Sequence, residues 1–214
     1  LNLERMAKGL FITFEGGEGA GKSTQVRRLA ERLAGLGREV VVTREPGGTP
    51  GAEAIRALLV TGAAERWSAL SECLMMNAAR RDHVERLIAP ALARGAVVIS
   101  DRFADSTRAY QGAAGGVSPA LIEAVEAAVV GDCRPDVTVI LDMPVEAGLA
   151  RAALRGGGEH RFEAKGMAFH AAIRAAFLAI AAAEPDRCAV LDAGPAPDSV
   201  ADAVWRHLEP RLAS

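Results

Sequence analysis

The stretch Phe14–Thr24, FEGGEGAGKST, limits what this chain can fold into more than any other part of it. Gly16, four further residues and then Gly21-Lys22-Ser23 give the spacing G-x-x-x-x-G-K-[ST]. An apolar run, Leu10–Phe14, leads into it, and a helix-favouring stretch from Gln25 to Leu33 leads out. The order is therefore strand, glycine loop, helix. Glycines allow positive φ and bring backbone N–H groups close to an anion. The start of the helix adds partial positive charge. Lys22 supplies a mobile cation for the outer phosphates, and the Ser23 hydroxyl a ligand for Mg²⁺. Gly16, Gly17, Glu18, Gly19, Ala20, Gly21, Lys22, Ser23 and Thr24 are thus expected to hold a nucleoside triphosphate. Stripped of its flanks, the same stretch reads as a glycine turn that binds nothing.

Around this anchor, short β-branched runs recur at 10–14, 39–43, 96–100, 137–141 and 188–191. Nearly continuous apolar runs predict strands covered on both faces. Helical patterns lie between them at 22–36, 49–59, 68–94, 119–130, 144–154, 162–183 and 198–212. Pro90 should kink or end the third, and Ser118 is placed to cap the fourth. Alternating strands and helices predict an α/β fold: a P-loop NTPase domain with a five-stranded parallel sheet and helices on both faces. It is expected to run from residue 9 to 214. The glycine run Gly156-Gly157-Gly158 marks the hinge of a short Arg-bearing lid at about 151–165. Leu1–Arg5 stand before Met6 and are read as an upstream addition without structural weight.

At 214 residues the chain is long enough for a full core, and a formal charge of −2 offers no polybasic face for nucleic acid. Cys73, Cys133 and Cys188 are far apart, which fits reduced thiols in a cytoplasmic protein better than a disulfide frame or a zinc site. No apolar run reaches the length of a membrane span. The four histidines form no metal spacing.

Further polar clusters fall where ligands collect in open α/β sheets, beyond the carboxyl ends of strands. Arg44-Glu45-Pro46-Gly47-Gly48-Thr49 follows the second strand. Read alone, it is equally a surface turn. Asp101-Arg102 closes the third strand, and Ser106, Thr107, Tyr110 and Gln111 follow at near-helical spacing. An Asp there can organise a metal through water, and an Arg can clamp a second phosphate. The bland alternative is an Asp–Arg ion pair. In the long helix, Arg81 reads as a solvated residue, and Leu74, Met75, Met76 and Ala78 as core more readily than ligand contacts. Arg151, Arg155 and Arg161 bracket the glycine run, where closure of a lid would carry them to a transferring phosphoryl group.

Taken together, EGGEGAGKST, REPGGT, the AAR of the long helix, DRFADSTRAYQG and RPDVTVILD resemble, in this order, the signatures of the bacterial thymidylate kinase family. The resemblance implies transfer of the γ-phosphoryl of ATP to dTMP, with Mg²⁺, in a cytoplasmic homodimer. It implies ATP on the loop and Lys22, with Arg151 alongside. Mg²⁺ would be served by Ser23 and Asp101. The dTMP site would comprise Glu18, Arg44, Pro46, Met76, Arg80, Arg102, Ser106, Thr107, Tyr110 and Gln111. Arg44 and Arg102 would share the monophosphate, Arg80 would donate to a thymine carbonyl and Tyr110 would lie under the sugar. Glu45–Pro46 is expected to be cis. Two features depart from parts of the family. The loop carries no Arg, so the catalytic charge would fall to Arg155 and Arg161 beside Lys22, Glu18, Asp101 and Arg102. Met76 stands where many members have a Phe against the base. The other readings are a kinase for another nucleoside monophosphate or a deoxynucleoside, a GTPase-type switch (for which the N-K-x-D reader is missing), and an ATP-binding protein without catalysis.

Overall fold

The computed structural model describes residues 9–63, 65–155, 161–162 and 165–212, with the side chain of Arg155 excluded. The strands are β1 (Leu10–Glu15), β2 (Val40–Arg44), β3 (Val97–Asp101), β4 (Val137–Asp142) and β5 (Cys188–Asp192). They form one parallel sheet in the order β2-β3-β1-β4-β5. The helices are α1 (Lys22–Gly35), α2 (Pro50–Val60), α3 (Ala69–His83), α4 (Ala89–Ala93), α5 (Ala104–Thr107), α6 (Pro119–Val130), α7 (Val145–Arg155), α8 (Met167–Ala183) and α9 (Pro197–Leu212). Among the described residues, no helix is long and apolar enough to cross a membrane.

Side chains alternate across the sheet, as a strand's period of two requires. Ile12 and Phe14 of β1, with Val97 and Ile99 of β3, face Val26, Leu29 and Leu33 of α1 and Val204, Trp205 and Leu208 of α9. Phe11 and Val98 point the other way, towards Val84, Ile88, Ala91 and Phe103. Phe11 meets Phe103 edge to face, 4.9 Å between ring centres. Each such large side chain, fully buried, contributes about 1.5–3 kcal/mol. Not every strand is covered on both faces, however. β2 and β5 are the sheet's edges, and they leave Val42 and Val190 half exposed.

Pro90 neither breaks nor sharply ends its helix. Between α3 and α4 the chain makes a π turn, Val84–Ile88, in which the N–H of Ala89 reaches back to the Val84 carbonyl. The wider turn lets the helix pass a residue that has no N–H to give. A second π turn, Arg108–Ala113, follows α5. Ser118 does precede α6, but its side chain makes no capping hydrogen bond.

The strand register sets the site. Phe14, Asp101 and Arg44 lie in one row across β1, β3 and β2. The loops that leave β1, β3 and β2 therefore start from the same edge of the sheet, and the three polar clusters of the sequence share it.

Candidate active site

The glycine loop leaves β1 at that edge and turns back into α1. Gly16, Gly19 and Gly21 have positive φ. At Gly19 an added Cβ would stand 1.9 Å from the Gly148 carbonyl of α7, so only glycine lets the loop lie this close. Gly21 occupies the N-cap of α1 with no side-chain hydrogen bond, and the first turn contains no acidic residue. The amides there are left for an anion. Lys22 curls over the loop, its Nζ donating to Gly16 O (3.1 Å) and Gly17 O (2.8 Å). Burial and the neighbouring Arg102 pull its pKa down to about 8, against the opposing pull of Asp101, Glu18 and Glu15. Ser23 Oγ donates to Asp101 Oδ2 at 2.6 Å. A hydroxyl and a carboxylate side by side beyond a β-strand are oxygen donors of the kind Mg²⁺ takes while keeping several waters.

Arg102 adopts φ 72°, a left-handed conformation in a residue other than glycine. Several hydrogen bonds hold it there. Its N–H donates to Phe14 O, and its carbonyl accepts from Ser100 Oγ at 2.7 Å. The next residue's N–H donates to Glu15 Oε1 (2.8 Å), while Ser106 donates to the same carboxylate from its N–H (3.2 Å) and its hydroxyl (2.6 Å). Glu15 is fully buried, and burial, with Asp105 nearby, pushes its pKa up to about 7 against the pull of Arg102 and these donors. Thus shaped, the backbone aims the Arg102 guanidinium at Gly16 O (3.1 Å), Ser106 Oγ (3.2 Å) and Glu18 Oε1 (3.0 Å). Tyr110 also donates to Glu18 Oε1, at 2.7 Å. Burial would raise the Glu18 pKa, but Arg102, Lys22 and the Tyr110 hydroxyl outweigh it and bring it to about 2.

Beyond this polar end lies a cavity open to solvent. Glu18, Pro46, Met76, Arg80, Arg102, Ser106, Thr107, Tyr110 and Gln111 all line it. Residues from four separate stretches of the chain are thereby brought to one space. The Arg80 guanidinium is fixed along its edges, Nε on Glu45 Oε2 (2.7 Å), Nη1 on Asn77 Oδ1 (3.1 Å), and Nη2 on Phe103 O (3.1 Å) and Thr107 Oγ1 (3.0 Å). Tyr110 and Phe162, which also line the cavity, meet edge to face. The peptide Glu45–Pro46 is cis.

Several expectations are corrected. Arg44 does not line the cavity with Arg102. It is half exposed and pairs with Glu53 at 3.2 Å, a carboxylate that also takes the Gly48 N–H and so supplies the counter-charge locally. Arg161 is packed against α2 and α3 rather than extended over the glycine loop. It is buried, donating to Ala63 O (3.0 Å) and Leu59 O (3.2 Å) at the end of α2 and pairing with Glu72 of α3. A guanidinium held on all three nitrogens acts as a strut. Gly156-Gly157-Gly158 and the Arg155 side chain lie outside the described residues. Arg151 donates to Ala193 O (2.9 Å) and Gly194 O (3.0 Å), in the turn after β5. Asp101 and Arg102 do not pair with each other: one takes Ser23, the other Glu18. Leu74 and Ala78 are exposed, and Met76 is half buried at the cavity wall, where a core reading would have enclosed all three.

Sequence reasoning passed over Glu15, Glu45, Glu72 and Phe162. For Glu15 and Glu45 the signal was a carboxylate at or just past the end of a strand, where a charge must find partners or stay wet.

The whole arrangement can be compared with known proteins. A family model described as thymidylate kinase matches residues 14–204. The chain belongs to the thymidylate kinase family. Among its relatives, thymidylate kinase of Caulobacter vibrioides is 63% identical over 207 residues, covering 97% of this chain and 99% of the relative. Thymidylate kinase of Rhodopseudomonas palustris is 55% identical over 213 residues, covering 98% and 93%. A crystal structure of thymidylate kinase from Ehrlichia chaffeensis superposes with a TM-score of 0.77 at 36% identity, over 95% of this chain and 99% of that one. A thymidylate kinase has two nucleotides to hold, and this edge of the sheet offers two sites that meet at Arg102 and Glu18.

Proposed function

We propose that this chain transfers the γ-phosphoryl of ATP to dTMP, giving dTDP and ADP, with the acceptor in this cavity and the donor on the glycine loop. The observation that carries this reading is the continuity of the two. Glu18 belongs to the loop and also lines the cavity, and Arg102 touches both. An oxygen of the dTMP phosphate forms the new bond to the γ-phosphorus. The bond from that phosphorus to the bridging oxygen breaks, and its electron pair leaves with ADP. Little proton traffic is needed, since the nucleophile is already an anion. What the protein supplies is alignment and opposing charge.

Each residue then has a task. The loop amides and Lys22 take the donor phosphates. Arg102, fixed from both sides, takes the acceptor phosphate. Glu18 anchors Arg102 and Tyr110 and stands where a sugar hydroxyl would lie. Thr107, Gln111, Arg80 and Met76 enclose the base, with Arg80 keeping an Nη1 hydrogen for a carbonyl. Ser23 and Asp101 would hold Mg²⁺, which, when bound, would supply positive charge against the phosphates.

The working unit is a homodimer. Leu70, Leu74 and Ala78 stand exposed at intervals of four on α3, and Leu121 is exposed on α6. A second copy would bury this apolar stripe. Leu74→Glu should halve the mass seen by light scattering, and a wild type already monomeric at micromolar concentration would refute the dimer.

A coupled assay of ADP release tests the activity itself, with ATP–Mg²⁺ against dTMP, dUMP, dCMP, dGMP and UMP. Turnover should be highest with dTMP. Silence with dTMP, or a better rate with another acceptor, would overturn the assignment.

A further inference from the structure

Arg80 is an unusual anchor for base recognition because its main partner is itself steered. A carboxylate beside a guanidinium commonly takes it with both oxygens, on two parallel N–H groups. Glu45 does not. Its Oε2 accepts from Arg80 Nε at 2.7 Å, while its Oε1 faces His83 Nδ1 at 3.0 Å. Because a carboxylate only accepts, the proton of that second contact sits on Nδ1. The other ring nitrogen, Nε2, lies 2.7 Å from Thr43 Oγ1, and in the neutral ring it accepts from that hydroxyl. One tautomer of neutral His83 satisfies the whole chain, from Thr43 through His83 and Glu45 to Arg80. All four residues are buried, His83 completely.

The sequence is arranged to keep this chain of bonds dry. Arg80 and His83 sit three apart on one face of α3 and grip the two oxygens of one carboxylate. Gly48 covers the Thr43–His83 bond so closely that an added Cβ would stand 2.4 Å from Thr43 Oγ1 and 2.5 Å from His83 Nε2. The consequence falls on Arg80. With Oε1 held by His83, Glu45 engages only Nε, which leaves Nη2 on Phe103 O and Thr107 Oγ1 and commits one Nη1 hydrogen to Asn77 Oδ1, in a side chain that lines the cavity. Freed from His83, the carboxylate could take Nε and Nη2 together and rotate the guanidinium away.

We infer that His83, aligned by Thr43, is a positioning residue for recognition of the base: it holds Glu45 to one nitrogen of Arg80 and so aims the Nη1 hydrogen that contacts the acceptor's carbonyl. The inference rests on reading Arg80 as the base contact. Steady-state kinetics of wild type, His83→Leu, His83→Asn, Thr43→Val and Arg80→Ala, with melting temperatures on the same samples, tests both. His83→Leu fills the space without a donor, and should raise the KM for dTMP about 10-fold while the ATP KM and kcat stay within about twofold. His83→Asn restores an amide donor where Nδ1 stood and should return the dTMP KM to within about threefold of wild type. An unchanged dTMP KM in His83→Leu, or equal damage in His83→Asn, overturns the relay. Should His83→Leu not fold, Thr43→Val decides. It leaves Nε2 without its donor and should raise the dTMP KM alone by about threefold, and no rise overturns the relay. Arg80→Ala separates this inference from the one beneath it. A large rise in its dTMP KM upholds Arg80 as the base contact, so that any failure at His83 counts against the relay only. An unaltered dTMP KM in Arg80→Ala overturns both.

Discussion

The ammonium of Lys22 rests on two carbonyls of its own loop, a short swing from any phosphate the loop amides would hold. Lys22→Ala removes that charge but no core contact. It should lower kcat by about 10²-fold or more while shifting stability by only the modest worth of two hydrogen bonds. A variant with wild-type kcat would remove Lys22 from the chemistry. Glu15 is a different kind of residue, buried for shape. Its pKa stands near 7 in the fold against 4.5 for a free carboxyl, so the folded chain holds that proton longer than the unfolded one. Stability is therefore drawn down as pH rises from about 4.5 to 7, the sign required when the native state binds more protons. Glu15→Gln cannot ionise. The difference in melting temperature between it and wild type should move in favour of the variant from pH 5 to pH 8, and a pH-independent difference would contradict this. Met76→Ala should raise the dTMP KM about 3- to 10-fold with little change in melting temperature, because its thioether lines the cavity rather than the core. Residues such as Met76 are where the sequence says least. Periodicity places it on a helix, but only the tertiary fold decides whether that face meets solvent, core or ligand.

At the scale of elements, legibility follows the strength of local signals. The strands are short continuous apolar runs, and each was placed within a residue or so of its ends because burial between helices leaves little choice of composition. Helix α1 follows from its glycine cap and apolar face. The π turn before Pro90 was not legible, since a lost i to i−4 bond can be met by a kink, a break or a wider turn, and packing against Phe11 and Val98 selects among them. Arg161 is the clearest case of a role decided by long-range partners. Glu72 binds both it and Gln111 (3.2 Å), so the stretch that follows α7 is tied to the wall of the acceptor cavity. Arg161→Ala leaves the Glu72 carboxylate buried without its cation, a change that costs about 3–5 kcal/mol. For a chain of this size the melting temperature should fall by roughly 10 °C, and the dTMP KM should rise. Unchanged stability with a collapsed kcat would return Arg161 to the transferring phosphoryl group.

For the molecule as a whole, the parallel sheet does the positioning. Neighbouring strands end in register, so the loops after β1, β2 and β3 converge although they come from distant parts of the sequence. The sequence could supply many members of the site because they follow a strand end, while Met76 and Arg80 on α3 came only through the family resemblance. It could not supply their pairing. That Arg44 meets Glu53, that Arg102 bends left-handed over Glu15, and that Glu45 divides itself between Arg80 and His83 depend on side-chain geometry across the fold. On the proposed reading, the glycine loop and the cavity are two halves of one reaction site. The most direct measurement follows the label from ATP carrying a radioactive γ-phosphate, incubated with the protein, Mg²⁺ and dTMP. The label should appear in dTDP, at its terminal phosphate, in step with ADP formation and only when dTMP is present. Label released as inorganic phosphate at a rate indifferent to dTMP would contradict it.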